Sequence, residues 1–248
     1  MEETAPRDDA RSSGPAGGRS SHLPAPRWPW GSWKQISWAF GLVALRMAIF
    51  GAVLYGILKP ALDRGEERRT GSTPELVENV ILTALSVVFV LVFLHGVARV
   101  SWRDLGFSRD RLGQNLALGV GVFAAGLLYI AFRLYTIDTS LGEAWQQVTG
   151  YSLRQRVLLV LVAVHVVFGE EVIFRGYLQP ALRARFSPAV AIGVTSIVFA
   201  AYHADLSPMV FAGNVGWGVI WGITRERSRS TIPSSVAHFL NWSVLGWL

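Results

Sequence analysis

Residues 156–178 read RVLLVLVAVHVVFGEEVIFRGYL. A helix needs about 20 apolar residues to cross a hydrocarbon core ~30 Å thick, and this run is long enough. Two adjacent carboxylates, Glu170 and Glu171, are set into it, with Arg175 four residues on from Glu171. An ionisable group inside a span is costly unless it pairs or faces a cavity. The stretch therefore points both to a membrane-crossing helix and to the place where its chemistry sits.

The rest of the chain agrees with a membrane reading. Of 248 residues 51% are hydrophobic and 16% charged, against about 25% charged in soluble domains; the mean hydropathy is +0.36. Apolar blocks fall at 36–58, 79–98, 115–134, 156–178, 189–203, 209–223 and 232–248. Tryptophans gather near block ends, as interfacial anchors do (Trp28, Trp30, Trp33, Trp38, Trp102, Trp242, Trp247). The expected fold class is all-α, a polytopic transmembrane helix bundle of about seven spans, or eight with one hidden span. The last three blocks are short or interrupted by glycine, which suits helices packed inside a bundle.

Residues 1–34 are rich in Pro, Gly, Ser and Arg and lack an apolar run, so a disordered cytoplasmic tail is expected before a membrane domain over 35–248. That tail has no signal-peptide core, and the first span reads as a permanent helix. With the N-terminus inside, Lys and Arg number 15 in the inner segments and 7 in the outer ones, which favours a cytoplasmic N-terminus. The net charge of +6 is thus read as topology, with no nucleic-acid partner. Ser101–Gln114 fits either an interfacial amphipathic segment or an ordinary charged loop. Arg46, inside the first span, would snorkel or pair with another buried group. The chain has no cysteine, which excludes disulfides, thiolate catalysis and Cys-ligated metals.

Glu171 and Arg175 share a helix face and can form an ion pair, while Glu170 points about 100° away. One neutralised carboxylate beside another suits general-base work, although such a group can also merely tie helices together. Two later blocks add Phe199-Ala200-Ala201-Tyr202-His203 and His238-Phe239-Leu240-Asn241. A Glu and a His can hold and deprotonate a water, and a second His with an Asn can donate to a developing oxyanion. His165, five residues before Glu170, lies on a different face.

Together, Glu170-Glu171-x-x-x-Arg175, Phe199-x-x-x-His203, and His238 with Asn241 resemble the three-motif signature of the CAAX-protease and bacteriocin-processing (Abi-type) family of intramembrane glutamic endopeptidases. Arg175-Gly176-Tyr177-Leu178-Gln179 and the 33-residue step from Glu170 to His203 are also similar. The likeness covers about 152–247, with a weaker echo at Leu105-Gly106-Phe107. It implies an intramembrane endopeptidase acting on a membrane-associated protein or peptide, placed as a multi-pass protein in the lipid bilayer of a bacterial inner membrane. By resemblance, Glu170 and His203 would activate the water. His238 and Asn241 would form the oxyanion site, with Glu171 and Arg175 in support. The sequence departs from the family in one place: its third motif puts Asn four residues after the His, where this chain has Trp242.

No cofactor is expected. The nearest alternative is a zinc-dependent peptidase with Glu170, His203 and His238 as ligands, although the chain has no H-E-x-x-H pair. A catalytically inactive immunity or scaffold protein of the same fold is a further alternative, favoured by Trp242. A proton-relaying transporter is opposed by the lack of a repeat relating two halves. The substrate, its cleavage site and the oligomeric state are not written in the sequence.

Overall fold

A computed structural model describes residues 27–58, 73–136 and 140–245. The expected tail up to residue 26 and the end of the last block at 246–248 lie outside the described residues, as does the side chain of His165. Within them the chain is helical, with no strand. Eight helices follow in order: α1 (Trp33–Leu58), α2 (Thr73–Leu91, continued by Val92–Val97), α3 (Leu112–Thr136), α4 (Leu141–Gly150), α5 (Leu153–Arg183), α6 (Pro188–Tyr202), α7 (Pro208–Ser228) and α8 (Ile232–Leu240, continued by Asn241–Leu245).

Local chemistry sets several of the starts. The side chains of Ser32, Ser140, Ser152 and Ser187 each accept from a backbone N–H in the first turn of α1, α4, α5 and α6. Ser152 and Gln155 close a reciprocal capping box, and Ser140 and Glu143 another. Pro188 and Pro208 stand at first helical positions, where no backbone donor is needed.

Four helical stretches are long and apolar enough to cross a membrane: Trp33–Leu58, Glu75–Val97, Leu112–Phe132 and Leu153–Arg183, with mean hydropathies of 2.0, 2.6, 1.9 and 2.3. The most apolar window of α5 is 59% buried, against 17–29% for the other three, so α5 is the central helix. The others keep large apolar side chains on the outside, among them Leu118, Leu128 and Phe132 of α3, as a lipid-facing surface requires. The molecule is an all-α membrane helix bundle. At 15 residues, α6 is about 22 Å long, shorter than the hydrocarbon core. It packs flat on α7: a Cβ at Gly218 would stand 2.8 Å from Ser196 Cα, so only glycine allows this approach. α8 packs on α3, and the first half of α5 on α2.

One helix lies outside the sequence reading, and two alternatives it left open are decided. The segment around 133–156 contains α4, a capped ten-residue helix too polar to register as an apolar block. Ser101–Gln114 begins with turns rather than a helix. The Asp104 carboxylate accepts from the Ser101 amide (3.0 Å) and hydroxyl (2.6 Å), Leu105 is fully buried, and Gly106 takes φ +85°. Arg46 does not snorkel; it is fully buried.

Candidate active site

The acidic pair lies on the second half of α5. Val166–Leu178 winds there with the wide i→i+5 turns of a π-helix, a geometry frequent at functional sites. Every residue from Gly169 to Leu178 is buried. Arg175 Nη1 lies 3.3 Å from Glu171 Oε1, and both side chains are fully enclosed, as the four-residue spacing predicts. Arg175 also donates from Nη2 to the Gly218 carbonyl of α7 (3.3 Å). Its guanidinium lies over the rings of Phe199 (4.5 Å) and Trp221 (5.2 Å), joining α5 to α6 and α7.

His238 of α8 faces both carboxylates. Its Nδ1 stands 3.1 Å from Glu171 Oε1, and its Nε2 is 3.9 Å from Glu170 Oε2. The sequence reading separated the two carboxylates by a hundred degrees; the structure reunites them on one ring, because an imidazole carries a nitrogen at each side. A carboxylate ion-paired with the Arg175 guanidinium has no proton to give, so Nδ1 is the donor to Glu171. At 3.9 Å, Nε2 and Glu170 are too far apart for a direct hydrogen bond. A single water at ~2.8 Å from each could touch both.

The ring is held by an aromatic column that sequence reasoning missed. Trp221 stacks on His238 at 3.7 Å, Trp217 stacks on Trp221 at 5.2 Å, and Tyr129 of α3 meets Trp217 edge-on at 4.9 Å. The only sequence signal is Trp217 and Trp221, four apart in a glycine-rich helix. The start of α8 is tied to the 101–107 loop: Thr231 Oγ1 donates to the Leu105 carbonyl (2.6 Å), and the Thr231 amide to the Gly106 carbonyl (3.1 Å).

His203 caps the C-terminus of α6, is exposed, and has its Nδ1 2.8 Å from the Phe199 carbonyl. A carbonyl only accepts, so Nδ1 carries the hydrogen, and Nε2 of the neutral ring is left as an acceptor. Phe199 is the shared wall, 4.6 Å from the His203 ring and 6.3 Å from that of His238. Asn241 opens the last turn of α8; its Oδ1 is buried and accepts no hydrogen bond among the described residues. Trp242 instead packs against the small cluster of Leu76, Leu159 and Val162 from α2 and α5. The indole at the position the resemblance reserves for Asn is thus used in helix packing. Among the described residues no three His, Asp or Glu side chains gather as a metal-binding set.

Residues 152–244 match the family model of type II CAAX prenyl endopeptidase Rce1-like proteins. No curated protein and no solved structure matches the chain. The matched stretch begins at the cap of α5 and ends within the last turn of α8, so the part of the chain that carries the site is similar to that family.

Proposed function

We propose that this protein is an intramembrane endopeptidase that hydrolyses a peptide bond of a membrane-associated protein or peptide with a carboxylate-activated water. The observation that carries the reading is the pair of buried carboxylates turned to one imidazole inside a membrane bundle. Glu171 is neutralised by Arg175 and accepts the Nδ1 hydrogen of His238. Glu170 is the general base, assisted by His203, whose hydrogen-bonded Nδ1 leaves Nε2 to accept.

Glu170 takes a proton from water as the oxygen attacks the scissile carbonyl carbon. To serve the oxyanion, His238 must carry a hydrogen on Nε2 as well as the Nδ1 hydrogen that Glu171 accepts, with the Asn241 amide as second donor. The carbon–nitrogen bond then breaks, and the proton held by Glu170 passes to the departing amine. The apolar surroundings exclude bulk water and strengthen these interactions. The reaction as proposed uses no metal.

The test compares termini of membrane and secreted proteins from cells carrying the native chain and cells carrying Glu170→Ala. New N- or C-termini that vanish in the variant support the peptidase. Unchanged termini together with an intact cellular phenotype favour a scaffold or immunity role. Purified activity lost to a chelator and restored by zinc would overturn the metal-free reaction.

A further inference from the structure

Arg46 lies on α1, outside the stretch that matches the family, and is fully buried. Its Nε donates to Ser86 Oγ of α2 (3.1 Å), and its guanidinium lies over the rings of Phe50 (4.3 Å) and Tyr202 (4.6 Å). The same guanidinium occupies the space where a side chain at position 169 would begin: a Cβ on Gly169 would collide with Nη2 and stand 3.0 Å from Cζ. Arg46 thus touches the residue before Glu170 and the residue before His203. Glu170 is the next residue along α5 from the glycine that the guanidinium abuts, which puts a carboxylate of opposite charge beside Arg46. A cation buried at this depth needs an anionic partner or a ring of carbonyls to be tolerated. The hydroxyl of Ser86 and the two aromatic faces satisfy donors and π contacts, but they carry no charge.

We infer that Arg46 is a positioning residue: the counter-cation of Glu170, contributed by the first helix, that holds the carboxylate and the end of α6 in register. Its catalytic consequence rests on the peptidase reading, whereas the pairing itself does not. Glycine at 169 leaves room for the guanidinium, which any side chain there would have to displace together with Ser86 Oγ. Arg175, the guanidinium beside the acidic pair on α5 itself, is already engaged by Glu171, and His238 faces Glu170 from α8.

The experiment is a double-mutant cycle on the purified full chain in detergent, read as melting temperature, with Arg46→Met, Glu170→Gln and both together. Arg46→Met should lower the Tm in the native background and lower it by less than about half as much in the Glu170→Gln background, because the anion it leaves unpaired is then gone. Additive losses would mean that Arg46 acts by packing alone and would overturn the inference. If Arg46→Met does not fold, Arg46→Gln and Arg46→Lys complete the same cycle, with Lys expected to retain most of the coupling. On peptidase turnover, Arg46→Met should lower kcat about tenfold with KM little changed, and Arg46→Lys should recover part of it. Coupled melting in a native protein that cleaves nothing would leave the pairing standing and remove the peptidase reading.

Discussion

The indole of Trp221 and the imidazole of His238 lie 3.7 Å apart, centroid to centroid, with their planes 25° from parallel. Stacking fixes the plane of the histidine, while the Glu171 bond fixes its rotation within that plane. Both are needed for Nε2 to stay turned to Glu170.

Trp221→Phe should therefore keep most of the turnover, and Trp221→Leu should lower kcat about tenfold by freeing the ring. An aromatic pair contributes ~0.5–1.5 kcal/mol beyond its buried area, so a moderate fall in Tm is expected as well. Steady-state kinetics and thermal melting of both variants separate these effects. Equal turnover in native and Trp221→Leu proteins would show that the carboxylates alone orient the imidazole.

Glu170→Gln preserves shape and removes the base. Turnover should fall by at least ~10²-fold while the protein still inserts and melts cooperatively. A folded Glu170→Gln protein with near-native turnover would pass the role of base to another group.

Arg175→Met leaves Glu171 charged and enclosed. Breaking a buried pair costs ~3–5 kcal/mol, so yield and Tm should drop sharply. Adding Glu171→Gln should restore much of that stability without restoring turnover, since His238 would lose its anionic partner. If the double variant melts no higher than Arg175→Met, the carboxylate–guanidinium pair is not the source of the loss.

Gly106 adopts φ +85°, and a Cβ there would stand 2.8 Å from Thr231 Oγ1. Gly106→Ala should cost at least ~1–2 kcal/mol from backbone strain, plus the loss of the loop's hold on α8. The expected outcome is a lower Tm together with reduced turnover. A drop in Tm with unchanged kcat would show that α8 keeps its seat without the loop.

The excess of basic residues in inner segments, 15 against 7, gives an orientation that reporters can check. A reporter fused before Trp33 should stay cytoplasmic, and one inserted at 205–208 should be exported. The reverse pattern would overturn the topology and leave the chemistry untouched.

Much of this bundle is legible in the sequence because lipid demands long apolar runs, and serines stand where several helices begin. The pairing of Glu171 with Arg175 follows from a spacing of four. α4 was passed over because a search for apolar blocks ignores a ten-residue polar helix; Ser140 and Glu143 at capping-box spacing were its signal. α7 runs to Ser228, past the block ending at 223, because Arg225, Glu226 and Arg227 are polar yet sound helix formers. The meeting of His238 with Glu171 spans 67 residues, and no local pattern encodes which face of α8 turns inward. Nor does spacing show that Trp242 belongs to a packing cluster and Trp221 to the histidine.

Thr231, held by the carbonyls of Leu105 and Gly106, is seven residues ahead of His238, about 10 Å along the helix. The loop that holds it turns outward at Trp102 and Arg103, both exposed. That corner is joined to the histidine through the seat of Thr231. If the proposed peptidase reading holds, an antibody fragment or small molecule that grips it and shifts Thr231 would lower turnover by way of His238.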